Sequence, residues 1–168
     1  MRRRNYYLSP GELGHGFENK VKNTFERNSY VLIKKNQWNK NYAPEKDKAS
    51  KREYDLVMFN LRDKQVYIIE CKAHYSPNNL VSLNQIKEFN NKLENYDGKH
   101  AIGMMVTDTY FTIPVKRYAS NHSIVLVNGK ELGKMEKKPG GTMMSIASRM
   151  ISSELENLVN KLIKNYSS

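Results

Sequence analysis

The sequence predicts an α/β sandwich in which a central mixed β-sheet is flanked by helices. Three observations support this fold class: the order of the predicted helices and strands, a hairpin of two apolar strands near the middle, and helices that connect the later strands. Strands joined by a hairpin run antiparallel, whereas strands linked through a helix can run parallel, so the sheet should contain both arrangements. With 168 residues the chain can bury a core without disulfides.

The first elements are a helix and a strand. Residues 11–28 carry apolar side chains at helical spacing, which predicts an amphipathic helix. Those side chains are Leu13, Phe17, Val21 and Phe25. Residues 30–33 are Tyr-Val-Leu-Ile and predict the first strand. Residues 34–52 are polar, contain seven basic side chains and are predicted to form a long loop.

Two apolar strands follow, at residues 53–59 and 66–72, with a short polar turn between them. We place a two-residue turn at Arg62-Asp63, which fixes the register because the numbers of facing residues then sum to a constant. The facing pairs are Asp55 with Glu70, Val57 with Ile68, and Phe59 with Val66.

The polar residues of this hairpin form a candidate site. Asp55 and Glu70 become cross-strand neighbours with Cβ atoms roughly 4.5–5.5 Å apart, so both carboxylates can reach one cation. Lys72 lies two residues beyond Glu70 and points to the same face, while Cys71 points away. Carboxylates are costly on strands this apolar unless a cation compensates them, and two acids beside a lysine can hold a divalent metal ion. This arrangement points to phosphodiester cleavage.

The second half of the chain adds a helix after residue 79, a strand at residues 101–107, a short helix at 114–119 and a last strand at 124–127. The first of these helices has an apolar face formed by Leu83, Ile86, Phe89, Leu93 and Tyr96.

We divide the chain into a basic N-terminal arm, one domain, a linker rich in lysine and glycine, and a C-terminal helix. These segments are residues 1–10, 11–133, 134–142 and 143–168. The last segment carries a broad apolar face, so it either packs on the domain or joins two chains in a homodimer.

Basic residues dominate the composition: 28 Lys and Arg against 17 Asp and Glu give a formal net charge of +11 and a pI near 9.6. This excess favours a polyanionic partner, with nucleic acid preferred over an acidic membrane surface. The sequence shows no apolar run of membrane-spanning length and no signal peptide, so we expect an intracellular, cytoplasmic protein. The single cysteine, Cys71, excludes an intrachain disulfide framework and a multi-cysteine zinc site.

Several segments resemble the restriction-endonuclease-like nuclease superfamily, whose hallmark is PD-(D/E)xK, and within it the Mrr-type catalytic domains. Residues 14–18 resemble the family's opening helix with its glutamate, Tyr54-Asp55 stands at the PD position, and Glu70-Cys71-Lys72 is similar to the (D/E)xK triplet. Parts of residues 107–127 resemble the end of these domains. The resemblance covers residues 11–132. Tyr54 replaces the hallmark proline, and Glu70 stands where many Mrr-type members have glutamine.

This resemblance implies a three-layer sandwich and an endodeoxyribonuclease that hydrolyses DNA by attack of a metal-activated water. In the roles of the family, Asp55, Glu70 and the main-chain carbonyl of Cys71 would bind Mg²⁺, with Mn²⁺ as a substitute. Lys72 would position or deprotonate the attacking water and offset charge on the phosphate. Glu18 would assist the metal site from the opening helix, although an acid near a helix start also stabilises the helix dipole wherever it lies.

Contacts to double-stranded DNA are predicted mainly in residues 34–52. Basic side chains there can contact phosphates, and aromatic side chains can stack on bases. A glutamine on the helix after the site would orient a phosphate or the water. The candidates are Lys34, Lys35, Trp38, Lys40, Lys51, Arg52 and Gln85.

Two alternatives stay open. Archaeal Holliday-junction resolvases share the fold that the resemblance implies, and an enzyme that resolves branched DNA needs two symmetric active sites and hence a dimer. From a different class, the chain would be a non-catalytic nucleic-acid-binding module on a nuclease fold, although a pure binder gains nothing from two carboxylates beside phosphates. RNA as the substrate also stays open.

Overall fold

The structure of the protein is a computed structural model that describes residues 10–38, 53–74, 79–96, 100–138 and 161. Within these ranges the chain forms four helices and five strands. The helices are α1 (Pro10–Arg27), α2 (Leu83–Glu94), α3 (Ile113–Asn121) and α4 (Gly129–Lys137). The strands are β1 (Tyr30–Trp38), β2 (Glu53–Asn60), β3 (Gln65–Lys72), β4 (Ala101–Thr107) and β5 (Val125–Val127).

The described strands form one mixed sheet in the order β1-β2-β3-β4-β5. β1, β2 and β3 follow one another in the chain and pair antiparallel. β3, β4 and β5 pair parallel, because α2 and α3 carry the chain back along the sheet between them. The predicted α/β fold with a mixed central sheet is confirmed.

Helices cover both faces of the sheet, and each face has its own apolar core. On one face α1 and α4 pack through buried side chains that include Phe25 and Leu132. On the other face α2 and α3 pack through side chains that include Phe89 and Val115. The predicted apolar stripe of α1 is buried at Phe17, Val21 and Phe25. None of the helices in the described residues is both long and apolar enough to cross a membrane.

The β2–β3 hairpin has the predicted register but not the predicted turn. Val57 pairs with Ile68 and Phe59 with Val66, as the constant sum requires. The ladder closes one pair earlier than predicted, and residues 61–64 form a four-residue turn instead of the two-residue turn. Both turns are centred on the same point of the chain, so the pairing is unchanged.

The residues of the turn explain this difference. A two-residue hairpin turn needs positive φ angles and usually contains a glycine, which residues 61–64 lack. The chain instead places one positive φ, 58°, at Lys64. The Asn60 side-chain oxygen accepts a hydrogen bond from the main-chain N–H of Arg62, and the Asp63 carboxylate accepts one from Gln65. The Asn60 and Asp63 side chains therefore stabilise the four-residue turn in the absence of a glycine.

β1 is longer than predicted. The strand runs to Trp38, so residues 34–38 continue β1 and do not belong to a loop. The pairing with β2 shifts by one residue next to Ile33. Among the described strands, β1 lies at the edge of the sheet and pairs only with β2, and its Lys34 is exposed. An edge strand tolerates such polar residues, so the apolar pattern ends before the strand does. The rest of the predicted loop, residues 39–52, lies outside the described residues.

Residues 134–137, at the start of the predicted linker, belong to α4, a helix that was not predicted. Asn128 begins this helix with a capping box: its side chain accepts a hydrogen bond from the N–H of Glu131, whose carboxylate accepts one from the N–H of Asn128. Residues 1–9, the later part of the linker, and the C-terminal segment apart from residue 161 lie outside the described residues. The division into arm, domain, linker and C-terminal helix stays a prediction.

Gly129, in the first turn of α4, is expected to tolerate no side chain. A Cβ at this position would collide with the main-chain carbonyl of Asp108. Gly129→Ala should therefore lower the free energy of unfolding by about 1–3 kcal/mol, because the backbone must move. Gly133 lies in the same helix with open space around it, so Gly133→Ala should raise the free energy of unfolding by up to about 1 kcal/mol. Urea unfolding measures both variants, and equal effects would contradict the prediction.

Candidate active site

The polar residues of the hairpin come together at one end of the sheet. Asp55 lies near the start of β2, whereas Glu70 and Lys72 lie at the end of β3. Because the two strands are antiparallel, these ends are neighbours. The structure therefore brings together three of the four side chains that the sequence suggested as catalytic, the fourth being Glu18, and their catalytic role stays a prediction.

Asp55 joins β2 to β3 through its side chain. The backbone ladder between these strands runs only as far as the pair of Leu56 and Ile69, so Asp55 and Glu70 do not form the predicted ladder pair. Instead, Asp55 Oδ2 accepts a hydrogen bond of 2.7 Å from the main-chain N–H of Cys71. This hydrogen bond holds the Asp55 carboxylate against the end of β3, where Glu70 and Lys72 lie.

An interruption of the strand alternation accompanies this arrangement. Tyr54 packs in the same core as Val57 and Phe59, although a strict period of two would place Asp55 on that face. The buried Tyr54 hydroxyl donates a hydrogen bond of 2.8 Å to the main-chain carbonyl of Lys92 in α2. The tyrosine at the position of the hallmark proline therefore anchors the start of β2 to a helix.

Glu70 is buried, with 4% of its surface exposed, and lies between two lysines. Lys72 Nζ is 2.7 Å from Glu70 Oε1. Lys92 Nζ donates to both carboxylate oxygens at 3.1 Å. A carboxylate buried to this extent requires such compensation, because an unpaired charge in the interior is costly.

The surroundings shift the pKa values of Asp55 and Lys72. Burial raises the pKa of Asp55 from its ordinary value of 3.8 to about 7, helped by the like charge of Glu70 and opposed by the Cys71 N–H and by Lys72. Burial by itself would lower the pKa of Lys72, but attraction and hydrogen bonding to Glu70, together with the charge of Asp55, outweigh burial and raise it. Lys72 is thus held in its ammonium form.

In chelator-treated protein, we expect Asp55 to weaken folding as the pH rises. The folded pKa of about 7 lies above the ordinary value of 3.8, so between these values the folded state binds more protons and the free energy of unfolding falls with rising pH. Asp55→Asn should lack this component, which is on the order of 3 kcal/mol between about pH 4 and about pH 8. Urea unfolding of both proteins at the two pH values measures it, and parallel pH profiles would contradict it.

Glu18 lies next to this group on α1. Its carboxylate is 3.5 Å from Lys35 Nζ of β1 and 3.5 Å from His15 Nδ1. Its charge makes a small contribution to the raised pKa of Asp55, and a role for Glu18 in the site stays a prediction. Lys35 also donates a hydrogen bond of 2.8 Å to Asn19. The direct partners of Glu18 are therefore a lysine of β1 and a histidine of its own helix.

Sequence reasoning missed Lys92. The signal was present: Lys92 stands three residues after Phe89 and four before Tyr96, so a lysine interrupts the predicted apolar face of the helix. A buried lysine on an apolar helix face requires an acidic partner, and the partner of Lys92 is Glu70. The sequence also gave no role to the hydroxyl of Thr107, which donates a hydrogen bond of 2.8 Å to the main-chain carbonyl of Lys72.

The predicted DNA contacts are only partly described. Lys34 is exposed on β1, and Lys35 pairs with Glu18. Gln85 completes a capping box at the start of α2, where its side-chain oxygen accepts a hydrogen bond of 2.7 Å from the N–H of Ser82. The capping box uses the side-chain oxygen of Gln85, and the suggested contact of Gln85 with a phosphate or the water stays a prediction. The predicted contacts that lie outside the described residues are the side chain of Trp38 and the whole of Lys40, Lys51 and Arg52.

The donors at this site fit a hard divalent cation. Asp55 and Glu70 offer carboxylate oxygens, which Mg²⁺ prefers, and Mg²⁺ in proteins uses one or two carboxylates and keeps several waters. Among the described residues no three His, Cys, Asp or Glu side chains form a metal-binding group, so a closed zinc cage is not built there. The donor chemistry therefore matches the cation that the sequence suggested.

Comparison with known proteins gives a family match and several structural neighbours. The Mrr_cat family model, described as restriction endonuclease, matches residues 13–135. A protein of unknown function, AF1548, is 22% identical with a TM-score of 0.54, and the alignment covers 67% of this chain and 57% of that one. Can2 from Sulfobacillus thermosulfidooxidans, solved with cyclic tetra-adenylate, is 19% identical with a TM-score of 0.53, covering 77% of this chain and 36% of Can2. No curated protein matches the sequence.

The two structural neighbours share the fold, and this chain spans only 57% of one and 36% of the other. The family match is stronger evidence for family membership, because it covers well over half of the chain and includes Asp55, Glu70 and Lys72. The predicted resemblance to PD-(D/E)xK nucleases is thereby confirmed. The protein belongs to the Mrr_cat family of restriction endonucleases.

Proposed function

We propose that this protein is a divalent-metal-dependent endodeoxyribonuclease that hydrolyses phosphodiester bonds of double-stranded DNA. The observation that carries the proposal is the grouping of Asp55, Glu70 and Lys72 at one end of the sheet. Membership of a nuclease family supports the reaction class. The net charge of +11 supports a polyanionic substrate, because each phosphate that a basic side chain neutralises releases counterions.

Asp55 and Glu70 would hold the cation, together with the main-chain carbonyl of Cys71. A bound Mg²⁺ supplies Lewis-acid charge and lowers the pKa of a water molecule toward neutrality. The two carboxylates repel each other, since the charge of Glu70 raises the pKa of Asp55. A dication held by both would relieve that repulsion, which is why the pair favours a metal site over two independent surface acids.

Lys72 would act as a fixed positive charge beside the reacting phosphate. Glu70 raises the pKa of the Lys72 ammonium, so this group is suited to offset negative charge that builds on phosphate oxygens. Its main chain is held by Thr107, whose hydroxyl donates to the Lys72 carbonyl. Lys34 is exposed on β1, which pairs with β2, and would contact the DNA backbone, whereas Lys35 forms an ion pair with Glu18.

Cleavage of a defined nucleic-acid panel tests the proposal. The substrates are a closed circular duplex, a linear duplex, a four-way junction, a single strand and an RNA duplex, each incubated with Mg²⁺, Mn²⁺ or EDTA. We expect nicking or linearisation of the circle in Mg²⁺ or Mn²⁺ and none in EDTA, because a closed circle offers an exonuclease no end. Glu70→Gln serves as the matched inactive protein, and equal cleavage by this variant would remove the proposed site.

The same panel separates the alternatives. Exclusive cleavage of the four-way junction by a dimer would favour a resolvase over a linear-duplex nuclease. Cleavage of RNA alone would make the proposed substrate wrong. Tight DNA binding without turnover in either metal would favour a non-catalytic binding module.

A further inference from the structure

Lys92 is the least expected residue near the candidate site. It belongs to α2, 22 residues from Glu70 in sequence, and only 8% of its surface is exposed. Its ammonium group donates to both oxygens of Glu70 at 3.1 Å and to the main-chain carbonyl of Glu53 at 3.2 Å. Three acceptors therefore satisfy a lysine with three N–H bonds, and the group is fixed in place.

The helix that carries Lys92 is fixed as well. The hydroxyl of buried Tyr54 donates to the main-chain carbonyl of Lys92 at 2.8 Å, and Ile86 and Phe89 of the same helix lie in the core. A movement of Lys92 away from Glu70 would have to break this hydrogen bond or disturb the core packing. The lysine is thus a permanent neighbour of Glu70.

Two carboxyl groups, of Asp55 and Glu70, and two lysine ammonium groups, of Lys72 and Lys92, meet at this end of the sheet. Both ammonium groups form ion pairs with Glu70. Glu18 has separate basic partners, Lys35 and His15. Lys72, two residues beyond Glu70 on β3, is the proposed catalytic lysine and accounts for one of the two cations at Glu70. The second cation, Lys92, has no role in that proposal.

We propose that Lys92 is a positioning residue that holds Glu70 in place as a resident cation and competes with the divalent metal for that carboxylate. This inference rests on the proposed metal-dependent function. A fixed ammonium group on both oxygens of a carboxylate preorganises it, and the same positive charge repels a dication that binds there. Lys92 therefore stabilises the site before metal binding and weakens metal affinity.

Isothermal titration of Mn²⁺ and Mg²⁺ into chelator-stripped and dialysed protein tests this competition. The variants are Lys92→Met, which keeps the side-chain length and removes the charge, Lys92→Gln, which keeps a hydrogen-bond donor without the charge, and Lys92→Arg, which keeps the charge. Lys87→Met is the matched control, because Lys87 lies one turn and a little more along α2 and is exposed. Melting temperatures without and with metal are measured on the same samples.

Removal of the charge should lower the metal Kd by at least about tenfold, the size of a screened repulsion between a dication and an ammonium group a few ångströms apart. Lys92→Arg and Lys87→Met should keep the Kd of the wild type. Without metal, Lys92→Met should melt at a lower temperature than the wild type, and metal should raise its melting temperature more than that of the wild type.

An unchanged or higher Kd in a folded Lys92→Met or Lys92→Gln protein would overturn the inference, because a merely structural lysine gives no gain in metal affinity. If Lys92→Met does not fold, the Kd of Lys92→Gln decides. Wild-type protein that binds no metal and cleaves no substrate would overturn the proposed function and this inference with it. Wild-type protein that binds metal and cleaves DNA, with no tighter binding in the uncharged variants, would overturn the inference alone.

Discussion

Asp55→Asn is expected to reduce DNA cleavage in Mg²⁺ by about 10³-fold or more while the protein stays folded. The substitution removes one of the two carboxylates proposed to hold the cation. The asparagine side-chain oxygen can still accept the hydrogen bond that Cys71 N–H now donates to Asp55. It also removes a partly buried like charge next to Glu70, so the free energy of unfolding at neutral pH should not fall.

The measurement is the rate of nicking of a closed circular duplex, with the urea unfolding curve of each protein taken alongside. Loss of activity with unchanged or increased stability would assign Asp55 to the chemistry. Full activity in a stable Asp55→Asn protein would contradict the proposed metal site. Loss of both activity and stability would contradict the structural part of the prediction, because the Cys71 hydrogen bond would then need a charged acceptor.

Lys72→Met is expected to lower kcat by about 10²–10⁴-fold with a much smaller change in KM. The methionine keeps the apolar stem of the lysine and removes the ammonium group that lies 2.7 Å from Glu70. That ammonium group, with its raised pKa, is the cation proposed to offset charge on the phosphate during the reaction. The effect should therefore fall on the chemical step, where the negative charge builds.

Lys64 provides the control for Lys72. It is an exposed lysine in the turn at the opposite end of β3, roughly 25 Å away along the strand. Lys64→Met removes the same charge from the protein and should leave kcat within about twofold, since a surface charge at that distance is screened. Equal losses in the two variants would show that net charge, and not the position of Lys72, limits the rate.

The sequence by itself predicted most of the helices and strands of this domain and the pairing of its hairpin. The helical spacing of apolar residues predicted the buried face of α1, and the position of the hairpin turn predicted the pairing of Val57 with Ile68. The same local logic failed where polar residues form regular structure. β1 continues through Lys34 and Lys35 because an edge strand allows them, and α4 starts at a capping box in a glycine-containing segment.

The sequence also supplied the residue types of the candidate site, since Asp55, Glu70 and Lys72 could be identified from their positions on two apolar strands. Only the tertiary structure decided how they are held. The Asp55 carboxylate binds a main-chain N–H of β3, and Lys92 reaches Glu70 from a helix 22 residues away in sequence. The physical reason is that a strand period fixes which face a side chain occupies, whereas a contact between α2 and β3 depends on how the helix packs against the sheet.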